Sequence, residues 1–400
     1  MCLNAFTPNE VRGKRVLLRV DFNVPFHDGK VSDNTRIISH LATIKSLLEA
    51  DAKVAILSHL GRPKGVRNPE FSLEPMGEEL ARITGWNVRF VQDCIGEKVL
   101  EAVSNWDSKD ILLLLENVRY YAEEEKNDYV FAQQLAENFD LFIMDAFSVA
   151  HRTHASTVAI AKILPTYAGK LMQKEIEILG SIRDTPEKPF LLILGGAKVS
   201  DKIGAVKNLI TKADTILIGG GMAFTFLKAA GYCIGNSLCD YDRLDYAKET
   251  LSYAKELGVK VLLPIDIVVA AECSFASPCK TVLVDKIPSD LMGLDIGPLT
   301  VELFKEEISK AKTILWNGPM GVFEIQSFSN GTRSIALALG EATAKNNAFT
   351  VIGGGDSAAA VVVFQDKDRV SHVSSGGGAS LEFFEGKMLP GIEPLMKTGC

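Results

Sequence analysis

Residues 190–221 read FLLILGGAKVSDKIGAVKNLITKADTILIGGG, and their pattern is the clearest indication of the fold class. Two short apolar runs, 190–194 and 215–218, each end in glycines and are separated by a segment long enough for a helix. Neither run alternates with polar residues, which is typical of strands buried on both faces of a parallel sheet. The stretch therefore predicts strand, glycine loop, helix and strand, the repeating unit of an α/β fold.

The same alternation extends over the whole chain. Further apolar runs that predict strands are 15–24, 53–58, 111–115, 141–144, 260–269, 281–284, 313–316 and 349–352. Residues 34–50 predict a helix, because their apolar side chains recur at helical spacing (Ile37, Ile38, Leu41, Ile44, Leu47 and Leu48). We therefore expect mostly parallel sheets covered by helices on both faces.

Size and charge limit the possible functions. The 400 residues are enough for two or three domains. We expect a domain boundary near 168–190, where a predicted helix precedes a proline-containing turn. Lysine and arginine number 43 against 50 acidic residues, and this net charge of −7 argues against a general nucleic-acid binder. No apolar run could span a bilayer, no signal peptide is visible, and the seven cysteines form no Cys-x-x-Cys pair. We expect a reduced, soluble, cytoplasmic protein.

The predicted strands of the first half are followed by charged side chains, where ligands of open α/β sheets bind. These residues are Asp21, Asn23, Arg36, His59, Arg62, Arg119 and Arg152. Guanidinium groups on one rim would repel each other unless a polyanion filled the site, so they predict a pocket for phosphate and carboxylate. We expect Glu116 and Asp145 to orient these arginines and Glu123–Glu125 to be a solvated charge run. His151 and His154 have no third ligand nearby and do not predict a metal site.

The predicted strands of the second half are followed by glycines. The glycine loops are 195–196, 219–221, 318–321, 353–355 and 376–378, and Lys198 and Lys202 follow the first of them. A single loop could be tight packing, but five at one sheet edge favour phosphate binding by backbone N–H groups. Asp356, directly after three glycines, suits Mg²⁺ carried on those phosphates.

Two activities are compatible with these sites. An arginine-rich anion pocket and a glycine-lined nucleotide site favour phosphoryl transfer, which needs positioning and charge neutralisation rather than a nucleophilic side chain. Residues 353–358 also match G-x-G-x-x-A, so an NAD-linked dehydrogenase is an alternative, although no acidic residue follows at about 20 positions. The chain contains no G-x-x-x-x-G-K-[ST] motif.

Nine motifs carry a resemblance to the phosphoglycerate kinase family over essentially the whole chain. They are RVDFNVP (19–25), SHLGRP (58–63), LENVR (115–119), AHRTHAS (150–156), LGGAKVSDKI (194–203), GGGMAFTF (219–226), WNGPMGVFE (316–324), GGGDS (353–357) and SGGGASLEFFEGKMLPG (375–391). The resemblance implies reversible transfer of a phosphoryl group from 1,3-bisphosphoglycerate to ADP, with Mg²⁺, by a cytoplasmic monomer of glycolysis and gluconeogenesis that binds neither nucleic acid nor membrane. It also implies two Rossmann-like domains that face each other across a cleft and close by hinge bending.

The resemblance also implies a role for individual residues. The phosphoglycerate would be held by Asp21, Phe22, Asn23, Arg36, His59, Leu60, Gly61, Arg62, Arg119 and Arg152. The nucleotide would be held by Gly196, Ala197, Lys198, Lys202, Gly220, Gly221, Leu238, Asn317, Glu324, Gly353, Gly354, Gly355, Asp356 and Ser357, with the metal on Asp356. The transferring group would meet Arg36, Lys198, Lys202, Gly355 and Gly378.

The resemblance extends to domain limits and is broken at a few positions. It implies a phosphoglycerate-binding domain of residues 1–168 with the tail 389–400, and a nucleotide-binding domain of residues 169–388 entered through a helix at 169–183. Ser148 and Val149 replace the family's usual Gly-Thr, Ser357 replaces threonine and Ala122 replaces a frequent proline. The first departure leaves open a weakly active, ligand-binding paralogue of the same fold.

Overall fold

The structure, a computed structural model, describes residues 1–27, 30–107, 111–363 and 369–397. The chain divides into two units, Met1–Glu177 with Met388–Cys400, and Ile178–Lys387. The division falls inside a helix, Lys170–Asp184, that runs from one unit to the other. Of the predicted tail, residues 398–400 lie outside the described residues.

Unit 1 is built on a sheet of six parallel strands. The strands of the whole unit are β1 (Arg15–Arg19), β2 (Phe26–His27), β3 (Lys30–Val31), β4 (Lys53–Leu57), β5 (Val88–Val91), β6 (Leu112–Leu115), β7 (Leu141–Met144) and β8 (Thr166–Ala168). Its helices are α1 (Pro8–Val11), α2 (Thr35–Ser39), α3 (Leu41–Glu49), α4 (Glu74–Thr84), α5 (Glu97–Ser104), α6 (Tyr129–Ala136) and α7 (Lys170–Asp184), which continues into unit 2. The strand order is β5-β6-β4-β1-β7-β8, and β2 and β3 form a separate antiparallel hairpin.

Unit 2 contains a second parallel sheet and a smaller antiparallel one. Its strands are β9 (Phe190–Leu194), β10 (Thr215–Ile218), β11 (Lys260–Leu262), β12 (Asp266–Ala270), β13 (Cys279–Leu283), β14 (Met292–Ile296), β15 (Thr313–Asn317), β16 (Phe349–Gly353) and β17 (His372–Val373). Its helices are α8 (Ile203–Leu209), α9 (Met222–Ala229), α10 (Leu244–Glu256), α11 (Pro298–Ile308), α12 (Asn330–Asn346), α13 (Gly355–Val363) and α14 (Gly378–Phe384). The large sheet has the order β11-β10-β9-β15-β16-β17, and the small one β13-β12-β14.

The two parallel sheets confirm the predicted α/β class, and strands without polar alternation are buried along nearly their whole length. Every residue of β6, β7 and β9 is buried, for example. In unit 1 the side chains of β1, β4 and β6 pack against helices α3 and α4 through residues such as Leu18, Ile44 and Leu80. Burial on both faces is what removes polar residues from these strands.

The structure corrects three of the predicted elements. The run 15–24 is a strand only as far as Arg19, where β1 ends. The run 260–269 is not one strand: it splits into β11 and β12, which belong to different sheets. Pro264 lies between them, and proline cannot donate a ladder hydrogen bond. The helix predicted at 34–50 is two helices, α2 and α3, joined at His40, and Ile38 is 48% exposed rather than part of the apolar face.

Strand order brings the predicted site loops of each unit together. In unit 1 the strands β6, β4, β1 and β7 are neighbours, so the segments after Leu115, Leu57, Arg19 and Met144 lie at one edge. In unit 2 the glycine loops follow five neighbouring strands, β10-β9-β15-β16-β17. The strand order of unit 2 reverses between β9 and β15, which is where doubly wound sheets bind ligands. Within the described ranges, no helix is long and apolar enough to cross a membrane.

Candidate functional site

In unit 1, Asp21 is the centre of a hydrogen-bonded group at the end of β1. Its Oδ2 accepts a hydrogen bond from Nη1 of Arg36 at 2.6 Å and another from the Ser148 hydroxyl. Burial alone would raise the pKa of Asp21, but the neighbouring His59 and Arg36, with the hydrogen bonds from Ser148 and the Asn23 amide, lower it below its ordinary value. Asp21 is therefore an ionised, buried carboxylate that orients Arg36.

Asn23 and Arg119 both contact the glycine turn after β4. The Asn23 Oδ1 accepts from the Gly61 amide at 2.8 Å, and Arg119 Nη1 donates to the Gly61 carbonyl at 2.7 Å. The other two guanidinium nitrogens of Arg119, Nε and Nη2, are buried without a hydrogen-bond partner. Nε lies 3.6 Å from Glu125 Oε1, which is beyond a hydrogen bond. Buried donors are almost always paired, so both N–H groups can still take an acceptor.

The electrostatics of unit 1 also favour such an acceptor. Burial, together with the charges of Arg152 and Arg19, lowers the pKa of Arg119 to about 10. Burial and the charges of Arg19, Arg119 and Arg152 lower the pKa of His59 well below its ordinary value, against the opposing effect of Asp21. Uncompensated positive charge at the carboxyl end of a parallel sheet favours an anion.

The remaining residues predicted for phosphoglycerate differ in exposure. The side chains of Phe22 and Leu60 are buried in the hydrophobic core, so only their main chains are left for a ligand. Arg62 is exposed and Arg152 half-buried. The expectation that Asp145 orients an arginine was wrong: its carboxylate contacts His40 Nδ1 at 2.7 Å and accepts from the Leu171 amide at the start of α7. Glu116 likewise accepts from the Leu73 amide at the start of α4.

In unit 2, three of the five glycine loops pack against one another. The Gly195 amide donates to the Asn317 carbonyl at 2.9 Å, and the Gly196 amide to the Pro319 carbonyl at 2.8 Å. A Cβ on Gly220 would lie 2.6 Å from the Gly196 nitrogen, so a side chain there would separate the loops. The glycines after β9, β10 and β15 thus allow the backbones of these loops to pack closely. This is the alternative to phosphate binding that the sequence left open.

The loops after β16 and β17 are different, because they border open space. Cβ atoms on Gly355 and Gly377 would meet no atom within 4 Å. Gly355 and Gly378 are the first residues of α13 and α14, so their backbone N–H groups have no partner within the helix. These two helix starts leave room for a phosphate.

Lys202 and Asn317 form the buried polar centre of this edge. Lys202 Nζ donates to Asn317 Oδ1 at 2.7 Å, while Asn317 Nδ2 is buried without a partner. Burial lowers the pKa of Lys202, and Asp201 and Asp356 partly oppose that shift. Ser357 accepts from the Gly318 amide at 2.5 Å and so ties α13 to the loop after β15.

The other predicted nucleotide residues are exposed. Lys198, Ala197, Glu324 and Asp356 lie at the surface. Leu238 is 50% exposed, and its Cδ2 would lie 3.0 Å from a Cβ on Gly221. An exposed leucine beside a bare glycine backbone is a suitable flat, apolar face for a base.

Comparison with known proteins decides the family. A family model described as phosphoglycerate kinase matches residues 6–387. The chain belongs to the phosphoglycerate kinase family. It is 55% identical over 384 residues to the phosphoglycerate kinase of Thermosipho africanus (96% of this chain, 95% of the relative) and 53% identical over 386 residues to that of Dictyoglomus turgidum (96% of each). The solved phosphoglycerate kinase of Coxiella burnetii matches with 40% identity and a TM-score of 0.83 (96% of each chain), and that of Pyrococcus horikoshii with 32% and 0.79 (96% of each).

Family membership confirms the predicted enzyme class. The chain is a phosphoglycerate kinase by family and by the names of its relatives, and nothing points to the ligand-binding paralogue. The dinucleotide-like match at 353–358 follows β16, the fifth strand of its sheet in chain order, rather than the first. That place argues against the dehydrogenase, because the fingerprint belongs to the first strand and helix of the fold.

The departures from the family pattern fall on named contacts. Ser148 supplies a hydroxyl to Asp21, the carboxylate that orients Arg36. Ser357 keeps the hydroxyl that its contact to the Gly318 amide requires. Ala122 packs against the turn at Gly65, where an added Cβ would lie 2.8 Å from it.

The residues present fit a metal ion that arrives with the nucleotide. The described residues contain no cluster of three or more His, Cys, Asp or Glu side chains able to hold a metal. Asp356 is a single exposed carboxylate in the first turn of α13, beside the open glycine backbone. One carboxylate plus substrate phosphates is the usual environment of Mg²⁺ in kinases, whereas a permanent structural metal would need more ligands.

Two charged residues were not predicted from the sequence. They lie beneath the arginine cluster of unit 1, which consists of Arg36, Arg62, Arg119 and Arg152. Arg19 has no exposed surface although it lies in an apolar strand. Glu124 is also fully buried, so the prediction that Glu123–Glu125 is a solvated charge run was wrong for this residue. Its carboxylate accepts from both the amide and the hydroxyl of Ser156. A charged residue inside an otherwise apolar strand was the available signal for Arg19.

Proposed function

We propose that this phosphoglycerate kinase holds the phosphoglycerate on unit 1 and the nucleotide on unit 2, through the residues assigned above. The reaction is the reversible transfer of a phosphoryl group from the carboxyl oxygen of 1,3-bisphosphoglycerate to the β-phosphate of ADP. The carboxyl–phosphate bond breaks, a new phosphoanhydride bond forms, and 3-phosphoglycerate and ATP are released.

The observation that carries the acidic-substrate half is the Arg119 guanidinium. Its Nε and Nη2 are buried without a hydrogen-bond partner, although Nε lies 3.6 Å from Glu125 Oε1. Burial, together with the neighbouring guanidinium groups, lowers its pKa. A phosphate or carboxylate would pair both donors and neutralise the repulsion. Arg36, fixed by Asp21, and the exposed Arg62 would add charge at the same strand ends.

The nucleotide half rests on Lys202, Asn317 and the open starts of α13 and α14. Lys202 is positioned by Asn317, and the unpaired Asn317 Nδ2 leaves one further donor for a ligand. The base would lie on Leu238 and Gly221, and Glu324 would accept from the ribose hydroxyls. Backbone N–H groups of Gly353–Gly355 would receive the phosphates.

Catalysis in this proposal is positioning and neutralisation of charge. Arg36, Lys198 and Lys202, with the amides of Gly355 and Gly378, would surround the oxygens of the transferring group, whose charge they stabilise more than that of the ground state. The family uses ATP or ADP, generally with Mg²⁺. When bound, Mg²⁺ would neutralise phosphate charge, and Asp356 would hold it.

The proposal includes a monomer that acts in the cytoplasm on small molecules and binds no nucleic acid. The described cysteines support a reducing compartment, because all six are free. The net charge of −7 argues against general nucleic-acid binding.

Calorimetric titration of Arg119→Met tests the assignment of the two ligands. We expect its Kd for 3-phosphoglycerate to rise about tenfold or more, since two hydrogen bonds to a charged group are lost, while its Kd for ADP stays unchanged. Lys202→Met should show the reverse pattern. Arg82→Met is the control, because Arg82 pairs with Glu79 on the surface of α4. Unchanged 3-phosphoglycerate binding in Arg119→Met would contradict the proposal.

A further inference from the structure

A chain of buried hydrogen bonds runs beneath the arginine cluster of unit 1 and ends at His59. The Glu124 carboxylate accepts from the Ser156 hydroxyl at 2.6 Å, and that hydroxyl accepts from Nε of Arg19 at 2.8 Å. Arg19 Nη1 donates to the Val20 carbonyl, and Nη2 lies 3.3 Å from Nδ1 of His59. Ser156 and the Val20 carbonyl thus fix two nitrogens of the guanidinium, and the third, Nη2, faces the imidazole.

Hydrogen-bond chemistry then decides the state of the imidazole. A guanidinium has only donors, so the Nδ1 of His59 that faces Arg19 must offer a lone pair. An imidazolium has no lone pair, and a neutral ring protonated on Nδ1 would present a second donor. Asp21 does not compete for this nitrogen, because its Oδ1 lies 3.9 Å away, beyond hydrogen-bond range.

The neighbouring buried histidine shows the opposite arrangement. His40 Nε2 accepts from the backbone amide of Asp21 at 3.0 Å, and its Nδ1 lies 2.7 Å from the Asp145 carboxylate. The amide can only donate and the carboxylate accepts, so a neutral His40 carries its proton on Nδ1. The two histidines beside Asp21 therefore differ in which nitrogen carries the proton.

We infer that Arg19 is a positioning residue that keeps His59 as a neutral imidazole protonated on Nε2, so that His59 offers a hydrogen-bond donor to the anionic substrate. This inference rests on the proposed function, in which His59 contacts phosphoglycerate. An anion accepts hydrogen bonds, and a ring with its lone pair on Nε2 would repel it. Glu124 and Ser156 act through Arg19, since they fix its guanidinium.

The charges around His59 favour the same state. Arg19, Arg119 and Arg152 all oppose a proton on the ring, and Asp21 alone favours one. Burial is the larger cause, and with the arginines it lowers the pKa of His59 well below its ordinary value. Burial and charge thus favour a neutral ring, and Arg19 selects which nitrogen is protonated.

Nitrogen NMR of the full chain labelled with ¹⁵N in its histidine rings tests the inference directly. From about pH 6 to about pH 8, around the ordinary imidazole pKa, His59 should show a protonated Nε2 and an unprotonated Nδ1. The neutral form of His40 should show the reverse. Signals are assigned by their loss in His59→Gln and His40→Gln. A His59 protonated on Nδ1, or on both nitrogens, would overturn the inference.

Variants show whether Arg19 causes this state. In Arg19→Met the His59 signals should move towards the Nδ1-protonated form, and the KM for 3-phosphoglycerate should rise about tenfold with the KM for ATP unchanged. Arg15→Met is the matched control on the same strand, because Arg15 pairs with Asp140 and not with His59. An unchanged His59 spectrum in Arg19→Met would overturn the role of Arg19.

A second variant and a comparison of the spectrum with activity complete the test. If Arg19→Met does not fold, Ser156→Ala removes the acceptor that fixes Nε of Arg19 and should shift the His59 signals in the same direction; unchanged signals would count against the inference. The spectrum does not depend on activity, so an inactive chain with Nε2-protonated His59 would contradict the proposed function alone. An active enzyme with Nδ1-protonated His59 would contradict only the inference about Arg19 and His59.

Discussion

Arg36 lies where a positive charge can act on a reacting group. Its Nη1 is 2.6 Å from Asp21 Oδ2, and 41% of its side chain remains exposed, so it is oriented without being occupied. We predict that Arg36→Ala lowers kcat by roughly 10²–10³, the usual cost of removing one donor that stabilises transition-state charge. Steady-state kinetics with ATP and 3-phosphoglycerate measure this effect. A rise in KM with unchanged kcat would make Arg36 a ground-state binder and the catalytic role wrong.

Individual residues of the candidate site could be proposed from sequence where they follow a predicted strand or belong to a motif. Asp21 and Arg36 are examples, and the structure joins them in an ion pair. Glu124 could not be predicted, because its burial depends on Ser156, which is 32 positions away and reaches it only in the folded chain. Neighbouring glutamates made Glu124 indistinguishable from surface charge.

At the scale of elements, two glycines of unit 2 should respond differently to the same substitution. Gly220 has a φ of +63° and no room for a Cβ, whereas a Cβ on Gly355 would meet nothing within 4 Å. We predict that Gly220→Ala lowers the free energy of unfolding by about 1–3 kcal/mol or more, and that Gly355→Ala changes it by less than about 0.5 kcal/mol but weakens ADP binding. Urea unfolding and ADP titration measure the pair. Equal destabilisation by both substitutions would contradict the packing role of Gly220.

The start of α12 is held by a carboxyl that should titrate near neutrality. Asp295, at the end of β14, accepts from the Gly331 amide at 2.7 Å and from the Ile296 amide at 2.9 Å. Burial outweighs these two donors and raises its pKa from 3.8 to about 7. The folded chain therefore binds this proton more tightly than the unfolded chain does, so the group's contribution to stability is present at low pH and is lost as pH rises through about 7.

Comparison with Asp295→Asn isolates this contribution. The free energy of unfolding of the wild type should fall, relative to that of the variant, between about pH 5 and about pH 8, because only the wild type can release the proton. Urea unfolding at several pH values measures the difference. A wild type whose stability relative to Asp295→Asn stays level over this interval would show that the two donors outweigh burial, because a carboxyl with a lowered pKa gains its stability below about pH 4.

Strands were predictable where apolar runs were continuous. Predictions failed where contacts with distant parts of the chain determine the limits of a strand or helix. The runs at 190–194 and 141–144 correspond to β9 and β7 without change. Strand β5 (Val88–Val91) was missed, because three of its four residues are only partly buried and Arg89 interrupts the run. The break between α2 and α3 could not be foreseen either, since His40 is held by Asp21 and Asp145 from other parts of the chain.

At the scale of the whole molecule, the alternation of strands and helices was enough to predict parallel α/β sheets, while the expectation of two such domains came from the family resemblance. The strand order was not predicted, because it depends on which strands pair across long stretches of sequence. The small sheet β13-β12-β14 was also not foreseen: its strands pair antiparallel within a chain that otherwise predicts parallel pairing. Pattern alone cannot distinguish such a sheet from a continuation of the main one.

The rate of product formation from ATP and 3-phosphoglycerate together, followed by spectrophotometric coupling with Mg²⁺ present, tests the proposed phosphoryl transfer most directly. We predict turnover that requires both substrates and reaches typical enzymatic rates, from about 1 to about 10³ per second. Turnover well below about one per second with both ligands bound, or activity that does not depend on 3-phosphoglycerate, would contradict the account.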